Sequence, residues 1–264
     1  MREITSPREL HSILLDIAKE FHRICVKHDI PYYMVAGTML GAVRHKGFIP
    51  WDDDMDFGVP REHYERLKSV LQKELSEKYN VFTMDNSESL LINILKISDI
   101  RTEIFEIYKE NLTERIGVNI DIFPLDSVDK KTCKRKTIQL LLRLQGYIFL
   151  SIKSRTFIKK IIALSLKLLY PFLSRNTIIN YIEKYLIGKK GRYITNIYGA
   201  YGARETMAED VVGNPVLYEF EDSSFYGVTN PSAYLSLLYG DYMKLPPESK
   251  RHIHIKDVYW KSFL

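Results

Sequence analysis

The chain has 264 residues, 45% hydrophobic and 27% charged, which suits one large domain or a core with an appendage and excludes a disordered or fibrous protein. Its 38 Lys+Arg against 33 Asp+Glu leave a net charge of +5. That charge permits an anionic substrate or membrane surface without demanding either, and no dense basic tract with interleaved aromatics points to nucleic acid.

The N-terminus, Met1 to Ile4, has no apolar leader segment, so no secretory signal is expected. Residues 7–28 predict an amphipathic helix, with Leu10, Ile13, Leu14, Ile17, Phe21 and Ile24 at helical spacing. Ser6-Pro7 and Glu9 give it a start and Pro31 an end. Tyr32 to Ala36 predicts a short strand, Gly37-Thr38 a turn, and Met39 to Arg44 a brief helix. A loop follows from His45 to Trp51, then a strand from Met55 to Val59 stopped by Pro60, and a helix from Arg61 to Tyr79. Further strands are expected at Val81–Met84, Leu91–Ile97, Ile104–Tyr108 and Val118–Phe123, giving a mixed sheet flanked by helices, an α+β fold.

After Asp129 the composition shifts. Residues 130–190 set Lys130, Lys131, Lys134, Arg135, Lys136, Arg143, Lys153, Arg155, Lys159, Lys160 and Lys167 among Leu/Ile runs. This reads first as helices packed on the core with lysines in solvent, and second as a surface that docks on an anionic membrane. Its longest apolar stretch, Phe157 to Leu173, is interrupted by three lysines and is too short and charged for a membrane span. Residues 192–264 return to mixed character. The expected organisation is a core at 1–129, a basic helical region at 130–191 and a C-terminal region at 192–264 that completes the active site. Cys25 and Cys133 lack CxxC spacing, which argues against a cysteine zinc site and for buried thiols in a reducing compartment.

The chemistry concentrates between Gly37 and Phe57. Asp52, Asp53, Asp54 and Asp56 place four acids in five positions, a repulsion that cations usually offset. Read as a strand, Asp52, Asp54 and Asp56 share one face and Asp53 points elsewhere. Oxygen ligands without His or Cys favour Mg²⁺ or Mn²⁺ over zinc. Asp121, between Ile120 and Ile122, is an acid embedded in an apolar strand; it needs a cation or donors and is the best candidate for a third ligand. Asp126 follows a Pro turn and reads as a local cap. Gly37 lets backbone approach a phosphate, Thr38 adds a hydroxyl, and Arg44, His45 and Lys46 form a cationic set suited to a diphosphate.

The segments GTMLGAVRHKGFIPWDDDMD (37–56), NIDIFPLD (119–126) and YGDYMKLPPESKRHIH (239–254) resemble the LicD family of phosphocholine transferases, relatives of the fukutin-type enzymes. The first segment is long and specific, and the resemblance runs from the first helix to the last motif, with the basic middle region its least characteristic part. It implies a nucleotidyltransferase-like core with a basic helical insertion and a C-terminal cap. Carried onto this chain, it assigns the phosphate turn to Gly37 and Thr38, the metal pair to Asp54 and Asp56, a further ligand to Asp52, and the third acid to Asp121, as ligand or base. Thr38 stands where many relatives of the wider fold have Ser or Gly. Arg44 and Lys46 would steady the leaving nucleotide phosphate, with Asp241, Arg251 and His254 as further substrate-binding candidates.

The implied reaction moves phosphocholine from CDP-choline, with Mg²⁺ or Mn²⁺ as cofactor, to a glycan or lipid-linked glycan and releases CMP. Bacterial relatives decorate teichoic acid, capsule or lipopolysaccharide, so an enzyme at the cytoplasmic face of the membrane is expected. Ribitol, glycerol or ethanolamine phosphate would use the same metal chemistry. An aromatic cage for choline could come from the eighteen tyrosines, but the sequence does not say which. The rival readings are a DxD glycosyltransferase, whose long parallel βαβ opening is absent from the pattern, a nucleotidyltransferase depositing the nucleoside monophosphate, and a non-catalytic membrane-docking protein.

Overall fold

A computed structural model describes residues 1–106, 114–129, 135–149, 174–187, 190–251 and 255–261. After a short strand β1 (Arg2–Glu3), helix α1 (Pro7–Lys27) buries Leu10, Ile13, Leu14, Ile17, Phe21 and Ile24, the face its spacing predicts. Pro7 opens it, while the Ser6 side chain makes no capping bond. Strand β2 (Tyr33–Met34), helix α2 (Ala36–His45), strand β3 (Asp56–Pro60) and helix α3 (Arg61–Glu74) follow. Then come β4 (Tyr79–Phe82), β5 (Leu95–Asp99), β6 (Thr102–Glu106) and β7 (Asn119–Val128).

The central sheet runs β2-β3-β7-β5-β4, with β3 and β7 parallel and the other neighbours antiparallel. Helices α1 and α3 contact β7 and its neighbours, and Phe57, Val59, Ile97, Ile120 and Ile122 are fully buried. By strand alternation, Asp56, Lys96, Asn119 and Asp121 lie on the opposite face.

Helices α4 (Arg135–Phe149) and α5 (Arg175–Leu186) build a second apolar cluster with Leu90, Ile94, Val128 and Tyr198. Arg135 fastens α4, donating to the Thr195 and Thr206 hydroxyls at 2.6 and 3.0 Å. The C-terminal residues are woven into the same sheets. Strands β8 (Tyr193–Thr195) and β9 (Thr206–Ala208) extend from the end of β7. After the single turn α6 (Glu209–Val212), β10 (Val216–Phe220) and β11 (Ser223–Gly227) form a hairpin. Helix α7 (Pro231–Tyr239) then packs on α2, and β12 (Ile255–Trp260) pairs with both β1 and β6.

The fold is α+β, as the pattern predicts, with shifted boundaries. Helix α3 stops at Glu74 rather than Tyr79, because Tyr79 is buried as the first residue of β4. Strand β5 begins at Leu95, leaving 91–94 as a loop. Strand β7 continues through Pro124 to Val128; there β3 approaches in parallel, pairing Val59 with Pro124, so the proline does not end the strand. The predicted strand end at Tyr108, the apolar run 157–173, Cys133 and most of the basic residues between 130 and 173 lie outside the described residues. Cys25 is a buried free thiol, and its burial pushes it well above the ordinary thiol range. Among the described residues, no helix is long and apolar enough to cross a membrane.

Candidate active site

The site is set by sheet register. Asp56 opens β3 directly opposite Asp121 of the parallel strand β7, and Asp121 faces Lys96 of β5 on its other side. Three ionisable side chains from three adjacent strands therefore stand in one row. Lys96 donates to Asp121 Oδ1 at 2.5 Å and to Asn119 Oδ1 at 2.9 Å, and is buried. This is the cation an acid in an apolar strand requires.

The turn before β3 adds the remaining acids. Residues 52–55 are not a strand, so face alternation does not apply to them, and the expectation that Asp53 points away from Asp52 and Asp54 is corrected. One carboxylate oxygen from each of Asp52, Asp53 and Asp54 lies within 4.8 Å of the others. Asp53 is buried and accepts the Ile255 amide at 2.7 Å, which ties the turn to β12. On the other side, His11 of α1 stacks flat on Phe48 at 4.1 Å and bonds the Asp52 carbonyl through Nε2 at 2.8 Å.

Gly37 lies in the first turn of α2, slightly earlier than predicted, since the helix begins at Ala36. A Cβ at position 37 would come within 2.9 Å of Asp52 Oδ2, so glycine lets this carboxylate rest on the helix start. Ala36 holds a left-handed φ of 47°, and its amide donates to the Tyr234 hydroxyl at 2.9 Å. The first-turn amides of Gly37 and Thr38 have no acceptor within the helix and face the end where the dipole favours anions. The Thr38 hydroxyl accepts the Asp56 amide at 2.7 Å and fixes where β3 starts.

Withdrawal from water raises the Asp56 carboxyl well above the usual carboxylate range, and the charges of Asp54, Asp121 and Asp52 add to the rise while Lys96 opposes it. Acidic oxygens in this density, with no His or Cys grouped with them among the described residues, suit a hard divalent cation.

The remaining predicted residues are placed as follows. Arg44 donates to the Tyr242 carbonyl at 2.8 Å and to His45 Nε2 at 2.9 Å. Burial lowers its pKa, with Tyr239 and Asp52 opposing. Burial and Arg44 lower His45, which accepts from Arg44 as a neutral ring. Lys46 is exposed at the far end of α2, in a left-handed cap with φ of 58°, so it is not brought together with Gly37. Asp241 is exposed in the turn after α7. The Arg251 guanidinium lies 4.2 Å over the Trp51 ring, beside the acidic turn. His254 lies outside the described residues.

Asp126 is not a local cap. It is buried and bound in two-pronged fashion by Arg61, at 2.8 and 2.9 Å, and Arg61 also donates to Glu183 at 2.7 Å. The residues missed from sequence are Lys96 and Asp53. Lys96 had a legible signal: it interrupts the apolar run 94–97 just as Asp121 interrupts its own.

Beside the row of acids opens a cavity of about 420 Å³. Its floor is Asp54, Lys96, Asn119 and Asp121, and its walls come from the 89–94 loop, α4 and Ile255.

Residues 29–145 match the family described as LicD/FKTN/FKRP, nucleotidyltransferase domain, a span holding Gly37, the acidic turn, Asp56, Lys96 and Asp121. The chain is 32% identical to the lipopolysaccharide cholinephosphotransferase LicD of Haemophilus influenzae, over 98% of this chain and 99% of that protein. Two uncharacterized proteins match over shorter stretches. That of Rickettsia prowazekii is 36% identical over 37% of this chain and 34% of its own length. That of Rickettsia typhi is 42% identical over 22% of this chain and 19% of its own length.

Proposed function

The chain belongs to the LicD/FKTN/FKRP family, and from that premise we propose that it transfers phosphocholine from CDP-choline to a hydroxyl of a lipopolysaccharide-type glycan, releasing CMP. The observation that carries this reading is the register that faces Asp56 with Asp121 beside the start of α2. That arrangement suits a diphosphate better than a neutral ligand. The relative of near-full-length similarity supports choline as the alcohol and lipopolysaccharide as the acceptor.

Asp54, Asp56 and Asp121, with Asp52 adjoining, are the residues that would hold Mg²⁺ or Mn²⁺. A divalent ion held there would supply charge neutralisation for the diphosphate and for the attacking and leaving oxygens. The chain's own groups do the rest. The first-turn amides of α2 would donate to a phosphate oxygen that takes the place the Asp52 carboxylate holds beside Gly37. Lys96 holds Asp121 through Oδ1, which leaves Oδ2 to accept the proton of the attacking hydroxyl. The acceptor oxygen bonds to the phosphorus that carries choline, the bond from that phosphorus to the CMP oxygen breaks, and CMP departs with its charge. Arg44, which feels the charge of Asp52, and Arg251, stacked over Trp51, would steady that departing phosphate. A lipopolysaccharide-type acceptor fits an enzyme acting at the cytoplasmic face of a membrane.

A donor screen tests the proposal. CDP-choline, CDP-ethanolamine, CDP-glycerol and CDP-ribitol are each incubated with lipopolysaccharide acceptor, with Mg²⁺ or with EDTA, and CMP is quantified. CMP release should be greatest with CDP-choline and vanish with EDTA. Sugar transfer from a nucleotide sugar, with no CMP from any CDP-alcohol, would overturn it.

A further inference from the structure

The 420 Å³ cavity is chemically two-sided. Its floor carries the carboxylates of Asp54 and Asp121; its walls are Leu91, Ile92, Ile94, Leu142 and Ile255. The polar groups in those walls are largely spoken for. The Ser89 hydroxyl is bonded to Ser87 at 2.8 Å, and the Gln145 amide nitrogen donates to the Leu91 carbonyl. Gln145 Oε1 is the exception: it is buried, its residue is 1% exposed, and it has no partner among the described residues. A buried acceptor without a donor calls for an explanation, and a bound water or ligand is one.

We propose that this cavity receives the trimethylammonium end of the donor, and that it is what selects choline against polyols and primary amines. The inference rests on the phosphocholine reading above and adds to it the site of selection. A trimethylammonium has no N–H or O–H to satisfy, so aliphatic walls cost it no hydrogen bond. Its positive charge is spread over methyl groups whose polarised C–H bonds make only weak contacts, and Lys96 in the floor is already held by Asn119 and Asp121. A ribitol or glycerol chain would bring several hydroxyls, and an ethanolamine ammonium three N–H donors, against the aliphatic side chains of these walls, which accept none of them. The acids at the floor also fix the orientation: the phosphate lies beside them, and the methyl groups reach away from it along Ile92 and Leu142. No aromatic residue is among the described lining residues, so the contact proposed for choline here is aliphatic.

The experiment combines contact and kinetics. In protein with ¹³C-labelled Leu and Ile methyl groups, bound CDP-choline should show nuclear Overhauser contacts from its N-methyl protons to Leu142 and Ile92. Leu142→Phe, which fills the cavity, and Ile92→Asn, which makes a wall polar, should each raise KM for CDP-choline on the order of tenfold or more. Neither should change the far-UV circular dichroism. Turnover of CDP-choline by the wild type, with no such contacts and an unchanged KM in folded variants, overturns the cavity assignment and leaves phosphocholine transfer standing. Failure of the wild type to release CMP from any CDP-alcohol overturns the transfer reading, and this inference with it.

Discussion

Strand β7 carries two acids five residues apart, and they serve opposite ends. Asp126 is 1% exposed and held by the Arg61 fork, with Glu183 and the Tyr198 hydroxyl completing a closed network; Tyr198 donates to Glu183 at 2.5 Å. Asp121 is half-buried on the cavity floor, with Lys96 on one oxygen and Asp56 across the ladder. Burial raises the Asp126 carboxyl, and the hydrogen bond and charge of Arg61 work against that rise. Burial likewise raises Asp56, but there the neighbouring acids push it further. One end of the strand uses charge to close the structure, and the other holds a repulsion that a bound cation would relieve.

The largest expected effect tests the open end. Asp56→Asn and Asp54→Asn should each lower CMP release by about 10²–10³-fold or more, since charge stabilisation of the reacting phosphate is the main chemical contribution. Thermal unfolding should show Asp56→Asn at least as stable as the wild type, because a repelling carboxylate is removed. A clear loss of stability in that variant would erase the contrast between the two ends.

The closed end should behave in the reverse way. Arg61→Met leaves Asp126 and Glu183 buried without their cation, which should cost about 3–5 kcal/mol. A fall in Tm on the order of 10 °C is then expected. KM for the donor, measured at a temperature where the variant is folded, should stay near the wild-type value. A raised KM with unchanged Tm would assign Arg61 to the substrate site.

Glu205 sharpens the comparison from between these extremes. It is buried, and its Oε1 accepts the Tyr201 amide at 3.3 Å. Burial pushes its pKa from 4.5 up to about 7, opposed by the Tyr201 amide and the charge of Arg135. The fold therefore favours the protonated form. Its contribution to stability is complete below the ordinary value of 4.5 and is lost as pH rises through about 7. The loss amounts to about 3 kcal/mol once the group is ionised. Denaturant unfolding across pH 4.5 to 8 should show this decline, and Glu205→Gln should flatten it. An equal slope in both proteins would show that Glu205 does not control it.

The sequence made local features legible and hid the partnerships. Helical spacing predicts the buried face of α1, and Ile120-Asp121-Ile122 marks an acid that needs a partner. The partners come from strands far along the chain: Lys96 reaches Asp121 only through the antiparallel β5–β7 register, and Arg61 reaches Asp126 only because α3 packs across β7. Asp126 read as a cap because Pro124 suggested a turn, whereas parallel pairing with β3 carries the strand through it. Asp53 was misjudged by applying strand alternation to a turn. Gln145 gave no signal in sequence, since one of two glutamines in α4 becomes informative only once it is found lining the cavity with a buried oxygen that has no partner among the described residues.

Direct measurement of metal binding tests the central claim, that acids from β3, β7 and the turn before them converge on one divalent ion. Mn²⁺ would be titrated into wild-type, Asp56→Asn and Asp121→Asn proteins, with and without CDP-choline, and bound metal read by electron paramagnetic resonance. One tight site in the wild type, strengthened by the nucleotide and weakened at least tenfold in both variants, is predicted. Equal Mn²⁺ affinity in all three proteins, with or without nucleotide, would contradict it.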